Sequence, residues 1–598
     1  MDSQQTPVDE RSLRGSDYLL LLAMCVTLFG FSLITPRILT THETVHCLNV
    51  REMFTSGKWL IPTYGGRPWL ERPPLPHWMT AAGVAFFGDL GLERAYRIGS
   101  ILIATLAVMV FAWSVAGCWG RTIGLMSGAI LATMREFAAY AAGPEADIFL
   151  ASVVTIAASL LMRALYDPRA KERRSGFLVG RSWLLVLFFA LLGATNAMKG
   201  PLFGMIFVML PLVGLWLWNR SLSELRPVIW LWGWLLTLVS GAAWPLLAYS
   251  RFPDILELWA MDYGLRWRSG YLGEPIWYYA VEQPLNAFPW TLPVFLGLIT
   301  TARSAFRANK AHDGIRFLWC WTLLPVLFFS LFKGKHHHYM LSCLAPAAVF
   351  AAIGARVFWR YVQTWPNWVR RPWVSIAVAG VPGAILVYLL QAKLPGPGWV
   401  HVAWMVGFPI TCFAAWWVIG RRQERLAFLG TCAVAIAVHC AVYEYRTRFA
   451  EDYAGDRVFI EEVRTTAADK PLLVLNEAHP HNHPLNASWL LFYVGEHAQI
   501  LHNVTYLRDE KYSMPEVYVL CRASDEPTLT EYGNVRPVVQ SKKTRFEKSP
   551  LDRYTLYELR FHPYLSRVPG NIRMTPIQAT GRDKGPYLDR TLTDRAEK

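Results

Sequence analysis

Charge is scarce in this sequence. Asp, Glu, Lys and Arg make up 17% of the 598 residues, against 53% hydrophobic residues and a mean hydropathy of +0.24. Whole stretches carry no charged residue at all, among them Tyr18–Pro36 and Ile98–Gly120. Each is long enough to cross a hydrocarbon core, which takes roughly 20 residues of helix. A soluble enzyme is thereby excluded and a polytopic membrane protein indicated. Cysteine is sparse as well. The nine cysteines form no CxxC, and Cys25, Cys320, Cys412, Cys432 and Cys440 sit in apolar runs, which argues against a disulfide framework or a cysteine metal site. The formal charge of +15 is not gathered on one face or tail, so no nucleic-acid surface is indicated. No internal repeat is visible, and with it goes the two-half symmetry common in transporters. A small-residue cleavage pattern is also missing after the first run, so residues 1–16 read as a polar tail ahead of a retained helix.

What is present is a succession of apolar spans. After the first two come Ile123–Ala142, Ile148–Met162, Trp183–Met198, Pro201–Asn219, Pro227–Ser250, Tyr279–Ala302, Phe317–Phe332, Tyr339–Ala355, Pro372–Ala392, Trp399–Gly420 and Leu426–Tyr443, about thirteen in all. The loops richest in Lys and Arg are Arg163–Arg181, Arg303–Arg316, Arg356–Arg371 and Arg421–Arg425, and they fall on one side. The positive-inside rule makes that side cytoplasmic, together with the N-terminus. The stretches Thr41–Pro76, Gly143–Asp147, Lys199–Gly200, Arg251–Gln283 and Lys333–His338 are then outside, as is everything after Tyr443. This gives three regions: a cytoplasmic tail (1–16), a transmembrane domain (17–443) whose first outer loop (36–95) is the candidate catalytic element, and an extracytoplasmic domain (444–598). In the last, β-like runs at Leu472–Leu475, Trp489–Val494, Glu516–Leu520 and Tyr554–Leu559 alternate with polar, Pro-containing segments, which predicts a small α/β domain. From about Thr575 the chain is polar with Gly and Pro, the composition of a loosely ordered end.

The first outer loop packs more charge than a connector needs. Glu43 to Phe54 reads as a short helix closed by Ser56-Gly57, and Pro73-Pro74 stiffens the chain just past Glu71-Arg72. The loop is either a charged element at an active site or an interfacial helix with surface ion pairs. Gly143-Pro144-Glu145-Ala146-Asp147 sets two carboxylates at a span boundary, suited to acid–base work or, for Asp147, to a helix N-cap. Arg135 and Glu136 lie inside a span, where such residues pair or face a polar cavity. Lys199, Arg266/Arg268 and Lys333/Lys335 are cations on the side where positive charge is normally rare. A phosphate at headgroup depth is a natural partner for them; snorkelling to headgroups accounts for any one but less easily for all three. His336-His337-His338 and His479/His481/His483 are metal-ligand types without the spacing of a closed site.

Taken in order, His42-Glu43-Thr44, Arg51-Glu52-Met53, Ser56-Gly57-Lys58-Trp59, Leu70-Glu71-Arg72-Pro73, Met198-Lys199-Gly200, Trp277-Tyr278-Tyr279, Phe288-Pro289-Trp290, Phe328-Phe329-Ser330, Lys333-Gly334-Lys335, Tyr339 and Leu341-Ser342-Cys343 resemble a family pattern from about residue 36 to 345. The family is that of the bacterial lipid A aminoarabinose transferases and the protein O-mannosyltransferases related to them in the GT-C superfamily. The resemblance implies a GT-C type polytopic helical fold with surface helices in the first outer loop. It also implies a polyprenyl-phosphate sugar donor and inverting transfer to a lipid, glycan or protein acceptor outside the cytoplasmic (inner) membrane.

Roles carry over residue by residue. Arg72 stands where the family has a Lys on the donor phosphate, and Lys199, Arg266, Lys333 and Lys335 resemble the rest of the cationic cradle. Asp147 matches the second family acid, with Glu43, Glu71, Glu145 and Tyr339 beside the same motifs. Two departures stand out. His42 replaces the acid that opens the loop motif, so that a neutral imidazole, Glu43 or Asp147 takes its role, or activity is altered. Tyr263 replaces a His that in some relatives joins the equivalent of Glu71 at a divalent metal, so no metal or other cofactor is expected to be required. Two other readings stand beside the transferase: a transporter or flippase of lipid-linked sugars, and a degenerate homologue whose outer domain binds a partner. The sugar and the acceptor are left open.

Overall fold

The apolar runs are helices in the computed structural model of the chain, which describes residues 11–35, 37–169, 177–178, 180–260, 273–307, 314–393, 396–421, 423–450, 453–467, 470–475, 488–495, 498–501, 504, 507, 516–541 and 553–562. Among the described residues eight helices are long and apolar enough to cross a membrane, and a ninth crossing results if Tyr278–Asn286 and Thr291–Phe306, bent by 109°, are one span. Trp183–Lys199, Phe203–Asn219 and Ile315–Ser330 are apolar but shorter. The span expected over Ile123–Ala142 is split into Arg121–Thr133 and Arg135–Ala141 by an extended Met134 (ψ 132°). At 1.5 Å rise per residue such pieces fall short of a core about 30 Å thick. All thirteen expected runs are therefore helical, while length alone qualifies eight or nine as full crossings. The protein is a multi-pass membrane protein.

Two compact units share the chain. One comprises Met1–Ile34, Glu71–Leu90 and Arg97–Tyr443, the other Thr35–Leu70, Gly91–Tyr96 and Glu444–Lys598. In the first, Ala146–Tyr166 is the central helix, with its whole most apolar window buried. Gly398–Ile419 is its opposite, nearly as apolar with none of that window buried, which is the signature of a lipid-facing surface. Thr291–Phe306 and Leu344–Gln363 approach backbone to backbone through glycine: a Cβ on Gly297 would lie 1.9 Å from the Phe350 carbonyl oxygen, and one on Gly354 1.9 Å from that of Pro293. Lipid offers no hydrophobic drive between helices, so such close approach supplies the packing energy.

Basic loops gather at one end of this unit. Arg169 reaches Ser12 Oγ (2.7 Å) and the Arg11 carbonyl (2.7 Å), Gly314 packs on Trp119 and Tyr166, and Arg356 pairs with Glu424 at 2.6 Å. Elsewhere the helices break: at Met134, at Gly200 (φ 103°), at the 109° bend, and at the 3-10 turn His337–Cys343 that precedes Leu344–Gln363.

The second unit starts with the helix Thr41–Ser56. Thr40 caps it, accepting from Glu43 N at 3.2 Å while Glu43 Oε2 accepts from Thr40 N at 2.6 Å, and Gly57 closes it in the left-handed region (φ 69°). Strands β1 (Thr63–Tyr64) and β2 (Arg67–Pro68) form a hairpin whose turn residues Gly65 and Gly66 both have positive φ (61° and 76°). Glu52 holds that hairpin, accepting from Thr63 Oγ1 (2.5 Å), Gly65 N (2.7 Å) and Gly66 N (3.1 Å).

A five-stranded mixed sheet follows, built from β3 (Leu472–Leu475), β4 (Ala498–Leu501), β5 (Glu516–Arg522), β6 (Gly533–Gln540) and β7 (Tyr554–Phe561) in the order β4-β3-β5-β7-β6. β3 runs parallel to β4 and β5, and β7 antiparallel to β5 and β6. The expected strand at Trp489–Val494 is instead the helix Ser488–Val494. Its apolar run has no alternation, and Arg51 caps it by donating to the Leu491 (3.0 Å) and Phe492 (2.9 Å) carbonyls. The helix Thr41–Ser56 is joined to it again through Thr44 Oγ1 and Ser488 Oγ at 2.8 Å.

Gly297→Val should lower stability by roughly 1–3 kcal/mol through overpacking, read as a drop in melting temperature of the detergent-solubilised protein. Gly407→Ala, inside a helix with nothing within 4 Å of the new Cβ, should not lower it.

Candidate active site

Helix ends, helix breaks and one loop of the first unit supply a cluster of polar side chains. Asp147 is the second residue of Ala146–Tyr166. The extended residue ahead of that helix is Glu145, so Asp147 is not its N-cap. Asp147 Oδ1 accepts from Lys199 Nζ, and the lysine side chain is 1% exposed. Lys199 ends the short helix Asn196–Lys199 and lies over the rings of Tyr339 (4.4 Å) and Phe203 (5.0 Å). His338 Nε2 stands 3.8 Å from Asp147 Oδ2, and its Nδ1 is 3.0 Å from the Tyr140 hydroxyl. Arg72 pairs with Glu71 at 3.4 Å, and its charge also bears on Asp147.

A second group adjoins the first. Glu136 Oε2 accepts from Arg135 Nη2 at 3.1 Å and its Oε1 from His337 Nδ1, while Arg135 also donates to Asn286 Oδ1 at 3.0 Å. Tyr279 and Asn286 donate to the carbonyls of His336 (3.2 Å) and His337 (3.1 Å) and so fix the histidine turn. Tyr140 bridges the groups, its ring 6.1 Å from that of His337 and 5.5 Å from that of His338.

The expected cationic cradle is only partly assembled. Lys199 contacts Asp147, and the Arg72 charge acts on the same carboxylate from further off. Lys335 Nζ donates instead to the Glu274 carbonyl at 2.8 Å, and burial pushes its ammonium below the usual lysine range. Lys333 is exposed, with its carbonyl accepting from Glu274 N at 3.1 Å. Arg266, Arg268, Tyr263 and the histidines at 479, 481 and 483 lie outside the described residues. Glu43 and His42 belong to the second unit. There Glu43 is buried in a two-pronged pair with Arg37 (2.6 and 2.9 Å), and His42 is exposed at the helix start. Glu145 is half-buried and Tyr339 buried. Among the described residues no three His, Cys, Asp or Glu side chains form a metal cluster.

Three residues escape a reading by pattern. Arg37 directly precedes the loop motif. Tyr140 carries no charge to flag it. His77 is buried, its Nδ1 donating to the Pro73 carbonyl at 3.2 Å, so that it pins the Glu71-Arg72-Pro73-Pro74 turn from the helix Leu75–Phe87. Burial pushes its imidazole down to about 4.

The architecture aligns with the crystal structure of ArnT from Cupriavidus metallidurans bound to undecaprenyl phosphate at a TM-score of 0.70 and 16% identity, over 90% of this chain and 97% of that one. The chain has the GT-C fold. The apo structure of the same ArnT aligns at 0.69. A family model for dolichyl-phosphate-mannose-protein mannosyltransferases matches residues 71–244, a segment that includes Arg72, Glu136, Asp147 and Lys199 of this GT-C chain. It is also similar to undecaprenyl phosphate-alpha-4-amino-4-deoxy-L-arabinose arabinosyl transferases. The protein of Erwinia tasmaniensis is 29% identical over 57% of this chain and 60% of its own length, and that of Aeromonas salmonicida 27% identical over 71% and 76%. For the Shewanella sediminis relative the matched share is 51% of this chain and 53% of that protein.

Lys199→Met should destabilise the protein by about 3 kcal/mol, because it takes the counter-charge from a largely buried carboxylate. Adding Asp147→Leu should recover most of that loss, a coupling read from a double-mutant cycle of unfolding midpoints. His77 gives a pH signature. Its folded value of about 4 lies below the unfolded value near 6.5, so the unfolded chain binds the proton first and stability falls as pH drops from 6.5 towards 4. His77→Phe should flatten that slope in melting temperature against pH.

Proposed function

We propose that the protein is an inverting glycosyltransferase that moves a sugar from a polyprenyl-phosphate donor to a lipid, glycan or protein acceptor on the outer side of the cytoplasmic membrane. The N-terminus and the basic loops lie on the cytoplasmic side and the sheet-containing unit outside, in keeping with the positive-inside rule. The observation that carries this reading is the buried Lys199–Asp147 pair with Arg72 and His338 about it, where helices break. The similarity to the arabinosyl transferases supports it.

Chemically, breaking the bond between the anomeric carbon and phosphate oxygen leaves negative charge on the departing polyprenyl phosphate. Fixed cations in a site shielded from water stabilise that charge as it develops. The hydrogen bond to Asp147 fixes where the Lys199 ammonium charge sits. Arg72 offers a planar fork matched to phosphate oxygens. Attack from the face opposite the leaving group inverts the anomeric centre. These cations meet the phosphate charge in our reading, which requires no metal.

The test is transfer of label from a panel of radiolabelled undecaprenyl-phosphate sugars into envelope extract by the purified full-length protein. Transfer of at least one sugar is expected, and Asp147→Asn and Arg72→Ala should each reduce it on the order of 100-fold or more, the scale seen when one preorganised group at a transition state is lost. A wild-type protein that binds undecaprenyl phosphate yet consumes no donor of the panel would sink the proposal.

A further inference from the structure

Glu136 and His337 have no part in the reaction as described so far. The Glu136 side chain is 5% exposed and has a partner on each oxygen, Arg135 on Oε2 and His337 Nδ1 on Oε1. An ionised carboxylate only accepts hydrogen bonds, so beside it the neutral ring carries its proton on Nδ1 and keeps the Nε2 lone pair. Asn286 fixes both ends of the arrangement, accepting from Arg135 and donating to the His337 carbonyl. The His337 side chain is nevertheless 44% exposed. Its Nδ1 edge is against the buried carboxylate, which leaves Nε2 as the open edge. A buried acid thus orients an imidazole that keeps access to solvent, the arrangement that lets histidine take a proton from a hydroxyl.

Neighbouring groups are less suited to that task. Asp147 is neutralised by Lys199, and His338 is 15% exposed with one nitrogen on Tyr140 and the other towards Asp147. Yet His337 is close to them, its ring centroid 5.2 Å from that of His338.

We infer that His337 is the catalytic base, that Glu136 is its positioning residue, and that the acceptor is an uncharged hydroxyl rather than a phosphate or carboxylate; this rests on the glycosyl-transfer reading above. An anionic acceptor oxygen attacks without losing a proton and has no use for such a dyad, whereas a hydroxyl must lose one. In the step, the acceptor O–H proton passes to His337 Nε2 while the acceptor oxygen bonds the anomeric carbon. The bond from that carbon to the phosphate oxygen breaks, and its electron pair leaves on polyprenyl phosphate. The imidazolium, paired with Glu136, then returns its proton to water through the exposed edge.

The experiment uses the full-length protein and the undecaprenyl-phosphate sugar that the wild type consumes. His337→Ala should lower kcat on the order of 10²- to 10⁴-fold, with undecaprenyl phosphate binding retained and with partial recovery on adding free imidazole. Glu136→Gln should lower kcat at unchanged donor KM and move the rising limb of the pH–rate profile to lower pH, because the imidazolium loses its counter-charge. Arg135, Glu282, Tyr140, Tyr278 and His338 also bear on the ring from its own turn and the packed helices, and both variants leave them in place. Should His337→Ala fail to fold, Glu136→Gln carries the test alone. The product linkage should be an ordinary glycoside, stable to mild acid. A His337→Ala protein within threefold of wild type, an unmoved limb in Glu136→Gln, or label in an acid-labile glycosyl phosphate would overturn this inference while leaving the transferase reading intact. A wild type that consumes no donor removes both.

Discussion

A buried lysine and a largely buried aspartate hold together the end of the helical unit where its polar side chains collect. Each alone would cost several kcal/mol to keep charged away from water, and their attraction repays that only in good geometry. The pair is weak as a source of stability and strong as a constraint on shape. Asp147 is in the first turn of the central helix, where the helix dipole favours an anion, and Lys199 ends a four-residue helix just before the turn at Gly200. Satisfying both charges requires the two breaks to meet, and the rings of Tyr339 and Phe203 close over the ammonium once they do.

The same constraint explains why the polar side chains collect where the helices are interrupted. Where a helix is interrupted, carbonyls and amides lose their intrahelical partners and must find others within the protein when buried. Here side chains supply several of them: Tyr279 to His336, Asn286 to His337, Lys335 to Glu274. One main-chain contact, Arg135 N to the Phe288 carbonyl at 2.8 Å, ties the broken span to the bend. Residues recruited to satisfy a broken backbone are thereby held in fixed positions. Rigid placement of charge is what a transition state with developing charge needs.

Periodicity and charge patterning made the helical runs legible, because an apolar run of nearly 20 residues has few alternatives. The helix near Glu43–Phe54 was legible from its glycine stop, and the Arg135–Glu136 pairing from the cost of charge inside a span. Long-range pairing was not. Nothing local says that Arg51 caps a helix at Ser488–Val494, that Glu52 serves a hairpin turn, or that Lys335 is spent on a carbonyl. Residues 35–70 fold with 444–598 for the same reason: the partners of their buried polar groups lie far along the chain. Trp489–Val494 misled because a short apolar run without alternation fits a buried strand and a buried helix equally. The histidine run drew attention as metal-ligand chemistry, whereas its meaning depends on Glu136, about two hundred residues earlier.

The departure at His42 acquires a chemical context from these pairings. Where the family resemblance implies an acid at the opening of the loop motif, this chain has an exposed imidazole, and the carboxylate beside it, Glu43, is committed to Arg37 and to capping its own helix. Asp147 is committed to Lys199. A carboxylate held by a full counter-charge is a weak base, since protonating it means giving up the pair. Deprotonation of an acceptor then falls to a group whose conjugate acid is stabilised rather than opposed by its surroundings. Glu136 stabilises a cationic His337, and its own charge survives the proton transfer, so no buried ion pair has to be broken during turnover. On this view the carboxylates at Glu43 and Asp147 set the geometry of the chain, and the proton is handled where an acid–imidazole pair opens to solvent.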